Sequence, residues 1–260
     1  MSDGDAIAGV SFLCSGFNEE QRVLVTINDM STILNIETST DVCSVCLSQD
    51  GEMKFHNADY KGRNHATVLG GFVKDALDYA KQCEMKLDAV AVSIGPGSYT
   101  GLRIGLSEAK GLCFGLGVPL IGVNTLKILS VAVMFSHHVG PDDLFVPMID
   151  ARRMEVFTAV YDLALNEVLP NQAMIIDENS FSELLSAHKM FFMGNGADKV
   201  KDVIVNDNAE FVYGVQLNAV DMIALSEKAY REGDFLDLAY STPNYIKKFQ
   251  TTVPKKNALK

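Results

Sequence analysis

The sequence predicts an α/β protein of two tandem lobes, on three observations. Two successive stretches of the 260-residue chain each read β-β-β-α-β-α-β-α. Each stretch opens on an apolar strand that closes with an acid, Ile33–Glu37 and Leu144–Asp150, and the two acids stand 113 positions apart. Within each, short β-branched runs bounded by turn residues give way to segments whose apolar residues recur every three to four positions.

In the first lobe, Ile33-Leu-Asn-Ile-Glu37 reads as a short buried strand, and Val42–Leu47 follows with strand alternation. Asp50-Gly51 marks a hairpin turn into a third strand, Glu52–Phe55. Leu69, Phe72, Val73, Ala76, Leu77 and Ala80 then form one stripe of a first helix. Leu87–Ile94 is almost continuously apolar and β-branched, as in a strand buried on both faces. A glycine-rich turn leads into a second helix near Leu102–Leu116, a strand at Pro119–Val123 and a third helix from Asn124. The second lobe opens on Leu144–Asp150, continues with strands Glu155–Tyr161 and Glu167–Met174, then helix Ser180–His188 and strand Met190–Met193. Helix Ala197–Val205, strand Glu210–Tyr213 and helix Asn218–Arg231 complete it. The chain divides accordingly into a leader, 1–29, an N-terminal lobe, 30–140, a C-terminal lobe, 141–246, and a tail, 247–260. A cleft is expected between the lobes. The leader lacks clear periodicity. An upstream start before Met30 is one reading of it, and a short extra strand at Arg22–Ile27 the other.

Composition narrows the class. Hydrophobic residues at 48% and charged residues at 21% suit a folded globular chain. No apolar run approaches the ~20 residues of a membrane-spanning helix, and the start Met-Ser-Asp-Gly-Asp lacks the basic residues of a signal peptide. Five cysteines, an odd number, suit a reducing compartment, so the cytoplasm is the expected location. The net charge of −11 argues against a stand-alone nucleic-acid binder. Residues 247–260 carry five lysines and no acid, which leaves 17 bases against 33 acids, or −16, over residues 1–246.

Ser93-Ile-Gly-Pro-Gly-Ser-Tyr-Thr-Gly-Leu-Arg-Ile-Gly105 carries the most chemistry. A buried strand runs into Gly95, Gly97 and Gly101, with Ser98 and Thr100 at a helix start, where converging N–H groups can hold an anion. The run fits neither the dinucleotide nor the Walker A pattern. On physical grounds an anion cradle and a purely structural turn stand as equal readings. Glu37 and Asp150, at strand ends, also admit two readings, acids beside a nucleotide site or carboxylates capping turns. Gly194 and Gly196, in the turn after Met190–Met193, are the remaining candidates for a vestigial nucleotide pocket.

The combination of Ile33–Thr40, Asn64-His65, Gly95–Arg103, Gly122–Thr125, Ile149–Arg152 and Pro243-Asn-Tyr245 resembles the TsaB (YeaZ) family. The likeness spans Met30 to Lys248. It implies two tandem ribonuclease H-like lobes of the actin-like, sugar-kinase-like ATPase architecture, and a part in making N6-threonylcarbamoyladenosine beside the anticodon of tRNAs reading codons that begin with A. It further implies a non-catalytic scaffold or activator whose partners are a TsaD-like paralogue and a TsaE-like ATPase. Those partners use ATP and magnesium, the chain itself takes no cofactor, and tRNA is met through the complex. TsaD-like relatives carry two metal-binding histidines four apart on the first long helix. Here His65 has Leu69 four residues on, so no metal site is expected.

Cys43 and Cys46, three apart on a strand, point to opposite faces and read as small core hydrophobes. In Gly101–Leu116 apolar or small residues occupy almost every direction, and Gly101/Gly105 and Gly111/Gly115 form two flat strips. Burial within the lobe is one reading. The other is a partner surface made of Leu69, Phe72, Leu102, Gly105, Ala109, Gly111, Leu112 and Gly115, serving a homodimer or the TsaD-like partner. Two alternatives to the scaffold reading stand beside it: a free-standing ATP-dependent enzyme of the same superfamily, and a glycoprotease-like metallopeptidase.

Overall fold

The computed structural model describes residues 11–13, 24–26, 31–62 and 64–246. Short strands β1 (Ser11–Leu13) and β2 (Leu24–Thr26) pair antiparallel, with Phe12 opposite Val25. The extra strand read as the alternative at 22–27 is therefore present as β2. The rest of the leader and the lysine-rich tail lie outside the described residues.

The N-terminal lobe comprises β3 (Thr32–Glu37), β4 (Cys43–Gln49), β5 (Glu52–Asp59), α1 (His65–Gln82), β6 (Ala89–Gly95), α2 (Tyr99–Leu116), β7 (Leu120–Asn124) and α3 (Thr125–Ser136). The C-terminal lobe comprises β8 (Leu144–Asp150), β9 (Glu155–Tyr161), β10 (Glu167–Ile175), α4 (Ser182–Leu185), β11 (Met190–Met193), β12 (Ala209–Val212), a 3-10 turn at Ala219–Met222 and α5 (Ile223–Glu232). The two five-stranded sheets have the same order, β5-β4-β3-β6-β7 and β10-β9-β8-β11-β12. In each, three antiparallel strands continue into two parallel ones. The duplication read from the sequence is thus a duplication of topology.

Capping explains where the helices start and stop. The Ser98 hydroxyl accepts from the Gly101 N–H at the start of α2, Asn124 Oδ1 accepts from the Leu126 N–H at the start of α3, and Gly117 ends α2 in the left-handed region. One expected helix is absent. In its place residues 195–203 form successive turns, closed at three-residue spacing by Val200 N–H to Ala197 O and Val203 N–H to Val200 O, with one four-residue closure from Ile204 N–H to Val200 O. The β-branched run Val203-Ile204-Val205 disfavours continuing them as an α-helix. The helix expected at 180–188 likewise contracts to the four residues of α4.

Three apolar clusters hold the chain together. One lies between the N-terminal sheet and α1 with α2, and includes Cys43, Val45, Leu69 and Val92. One covers the outer face of the C-terminal sheet. The third joins the lobes: α3 and α5 are sandwiched between both sheets, with Ile33, Cys46, Leu126, Leu129, Phe145, Phe191, Met222 and Tyr230 in one continuous core. Cys43 and Cys46 fall in different clusters, as their spacing on β4 predicts, and burial pushes both thiols up to about 12. After α5 the chain returns along the first lobe. Leu236 N–H bonds Leu120 O on β7, Lys110 Nζ donates to Ala239 O and Ser241 O, and Asn244 N–H bonds Ile94 O. This strap delivers Tyr245 and Ile246 to the carboxyl ends of the strands.

Candidate functional site

Strands β3, β6, β8 and β11 point their carboxyl ends toward the seam between the lobes, where open α/β sheets hold ligands. The loops that follow them enclose a groove of about 600 Å³. Its walls are Ser39–Asp41 after β3, Pro96–Thr100 after β6, Asp150–Arg152 after β8, Asn195 after β11 and the strap at Asn244–Ile246. The expected cleft is present at this end of the seam, while α3 and α5 occupy its middle.

The glycines of the loop after β6 are explained by close backbone approach. A Cβ on Gly97 would stand 2.3 Å from Ser39 O, one on Gly101 2.1 Å from Thr38 O, and one on Gly105 2.2 Å from Thr38 Oγ1. Helix α2 thus lies directly on the β3–β4 turn, and the Ser98 N–H bonds Ser39 O at 2.7 Å. Gly97, Ser98 and Thr100 line the groove, whereas Gly101 is buried in the helix–turn contact and Gly95 lies under the strap beside Asn244 O. On the other lobe, Gly194 takes φ +97° where its Cβ would meet Met148 O at 2.4 Å, and Gly196 is pressed against Ile149. Gly194 and Asn195 also border a smaller cavity of about 200 Å³ with Thr40 and Asp41.

The two strand-end acids sit in unlike surroundings. Asp150 opens on the groove. It accepts from the Arg152 N–H at 2.9 Å and pairs with Lys199, whose Nζ also donates to Glu155 O. Partial burial pushes the Asp150 carboxyl up, but the Lys199 ammonium and the Arg152 N–H more than offset it and hold it below its ordinary range. Glu37 does not face the groove. It is 0% exposed; Oε1 accepts from the Ser39 N–H at 2.5 Å and Oε2 has no hydrogen-bond partner. Burial is the main cause that raises its pKa from 4.5 to about 7. Placed there, it is no groove ligand, and among the described residues no cation stands beside it as Lys199 does beside Asp150.

A pH dependence follows. Between pH 4.5 and about 7 the folded state keeps a Glu37 proton that the unfolded chain has lost, so stability falls as pH rises through this window. Above it the deficit is about 3 kcal/mol. Asp221, raised to about 6 by burial, adds to the same slope. Urea unfolding at pH 5 and pH 8 should show this loss, and Glu37→Gln should shrink it. An equal slope in the variant would refute the assignment to Glu37.

Several residues in and around the groove gain a role only from the structure. Asn195 Oδ1 accepts from the Asp150 N–H at 2.9 Å and so ties β11 to β8; its position between two glycines was its only signal. Lys199 reaches Asp150 from 49 residues away. Tyr99 and Tyr245 pack as a tilted pair with ring centroids 5.0 Å apart, and Arg103 donates to the Tyr99 hydroxyl. Arg152 and Arg153, both exposed at the β8–β9 hairpin tip, take φ values of +72° and +53°.

The second candidate surface is the face of α1 and α2. Leu69, Leu102, Gly105 and Ala109 are buried within the lobe, and Phe72 and Leu112 partly so, because their stripes face the sheet. Those four are therefore not available to a partner. Gly111 and Gly115 are exposed, a methyl group added at either would meet no atom within 4 Å, and Phe114 between them is 68% exposed. Gly70 and Gly71 are likewise open on α1. A flat strip of small residues around one large aromatic is thus left uncovered. Among the described residues no three His, Cys, Asp or Glu side chains converge as metal ligands, and no helix is long and apolar enough to cross a membrane. His65 starts α1, buried, with Nε2 3.3 Å from Val42 O.

Comparison with known proteins places these features. The family described as "TsaD: tRNA N6-adenosine threonylcarbamoyltransferase" matches residues 56–253. The Bacillus subtilis tRNA threonylcarbamoyladenosine biosynthesis protein TsaB is 30% identical over 178 residues, covering 66% of this chain and 75% of that protein. Its Escherichia coli namesake is 36% identical over 129 residues, covering 50% of this chain and 54% of that protein. Among solved structures, YeaZ from Pseudomonas aeruginosa superposes with a TM-score of 0.69 at 27% identity, over 83% of this chain and 99% of that one. A further Pseudomonas aeruginosa structure, described as similar to peptidase YEAZ, gives a TM-score of 0.72 at 26% identity, over 84% and 100%. The duplicated actin-like, ribonuclease H-like α/β fold is thereby shared.

Proposed function

Because the chain belongs to the TsaB family of tRNA threonylcarbamoyladenosine biosynthesis proteins, we propose that it acts in that modification as a non-catalytic subunit. On this proposal it works beside a TsaD-type transferase and a TsaE-type ATPase in the cytoplasm, and meets tRNA only in the assembled complex. The observation that carries the proposal is the start of α1. His65 is turned into the protein toward Val42 O, and the next turn of the helix places Leu69, 2% exposed, in the core. A single imidazole engaged in this way does not assemble the histidine pair of the catalytic relatives. The open strip on α1 and α2 supports a scaffold, since small residues let a partner helix approach closely.

Reconstitution tests it. The isolated chain should leave tRNA unmodified. Adding it to TsaD- and TsaE-type proteins from the same source with ATP, magnesium and a threonylcarbamoyl donor should raise N6-threonylcarbamoyladenosine above the level without it, as read by nucleoside mass spectrometry. Full yield without the chain would refute the proposal, and so would modification by the chain alone. The groove beside Asp150 favours a second reading, a nucleotide-dependent enzyme. Calorimetric titration with ATP and magnesium, followed by a turnover assay, separates it from the first.

A further inference from the structure

The end of the seam that holds the groove is also where the surface charge changes sign. Residues 1–246 carry 17 bases against 33 acids. At this end, however, Arg103, Arg152, Arg153 and Lys199 stand against Asp41 and Asp150. Lys199 and Asp150 neutralise each other. Arg152 and Arg153 are exposed, and among the described residues their guanidinium groups enter no ion pair. Two adjacent arginines left to solvent on an acidic protein attract anions to one place.

Aromatic surface lines the same groove. Tyr99, at the start of α2, and Tyr245, on the strap, are 41% and 40% exposed. The Arg103 guanidinium lies over the Tyr99 ring, 5.4 Å from its centroid, on the residue that also packs against Tyr245. Rings presented in this way accept nucleobases by stacking, with little regard to sequence, while arginines hold the phosphates. The groove has hydrogen-bonding capacity to spare as well. Ser39 lines it, is 1% exposed, and its hydroxyl has no partner among the described residues; the Thr40 hydroxyl, also in the lining, is in the same position. A groove of about 600 Å³ admits unpaired nucleotides and excludes a duplex.

We infer that this rim binds unpaired nucleotides of an RNA, with phosphates at Arg152 and Arg153 and a base against the Tyr99–Tyr245 pair. The inference rests on the reading that the chain serves tRNA modification, and it makes the rim the chain's own contact with tRNA inside the complex. The acidic remainder of the surface confines that contact to this end.

Filter binding of tRNA to the chain assembled with its TsaD-type partner, over a series of salt concentrations, tests this. The double variant Arg152→Gln, Arg153→Gln should lower affinity and flatten the salt dependence, reducing its log–log slope by roughly 1 to 2. Tyr245→Ala should weaken binding at least about fivefold at unchanged slope, and Tyr245→Phe should restore it. Parent affinity in both the arginine variant and Tyr245→Ala would overturn the inference. If millimolar AMP erased the difference between parent and variants, the groove would belong to a free nucleotide and the inference would equally fall. Co-elution of the chain with the TsaD-type protein, measured first, keeps the two failures apart. Without co-elution the subunit reading falls, and ultraviolet crosslinking of tRNA to the isolated chain then decides the rim. Crosslinks at Tyr99 or Tyr245 would uphold it; crosslinks confined to other segments, or none, would overturn it.

Discussion

Gly101→Ala should destabilise the protein while Gly111→Ala, in the same helix, stabilises it. Intrinsic propensity favours alanine at both positions by up to about 1 kcal/mol. At Gly111 nothing opposes that gain, since a methyl group there meets no atom within 4 Å. At Gly101 the methyl would sit 2.1 Å from the Thr38 carbonyl oxygen. Neither α2 nor the β3–β4 turn can yield cheaply, because Gly97 and Gly105 bring the helix onto the same turn at two further points. Overpacking of this kind costs about 1–3 kcal/mol or more, enough to reverse the propensity gain. The two variants should therefore differ by about 3 kcal/mol, roughly 10 °C in melting temperature for a chain of this size. Scanning calorimetry decides it. A Gly101→Ala protein as stable as the parent would mean that the turn is not held against the helix, and the packing account of the glycine loop would fail.

The second large effect concerns association. Phe114→Asp should weaken binding to a TsaD-type partner by about 2 kcal/mol or more, some thirtyfold. The circular dichroism spectrum should not change, because the ring is 68% exposed and contributes little to the lobe's own core. Leu102→Ala provides the contrast. Leu102 is 1% exposed, so the change leaves a cavity and should cost about 2–5 kcal/mol of folding stability. Its effect on association should then follow from unfolding alone. Titration of the partner at a temperature where both variants are folded separates the two outcomes. Undiminished affinity of Phe114→Asp would place the partner surface elsewhere.

The difference between these two residues shows where a sequence stops being informative. Periodicity located α1 and α2, and the alternation of β4 correctly assigned Cys43 and Cys46 to opposite faces. Helix α2, however, is apolar or small on nearly every side, and nothing in its pattern says which side the sheet covers. Leu102 and Phe114 look alike until the sheet is in place. The same holds for the strand-end acids. Glu37 and Asp150 occupy corresponding positions of a repeated pattern, but the lysine that pairs with Asp150 lies 49 residues further on, and no equivalent partner among the described residues reaches Glu37. Contacts across such separations have no local signature. The segment 197–205 failed as a helix for a local reason, the β-branched run, and that information was present in the sequence.

The shared placement of α3 and α5 bears on how the two halves relate as physical objects. The duplicated pattern suggests two modules that could part, rotate or be inherited separately. Yet each half contributes its last helix to a hydrophobic interior that the other half completes, with Leu126 and Leu129 from one and Ile223 and Tyr230 from the other. Pulling the halves apart would bring that whole interior into water at once, so neither half is an autonomous unit of stability. The repeat is a unit of sequence and of topology. Its cooperativity belongs to the pair, because opening the lobes would expose the interior they share.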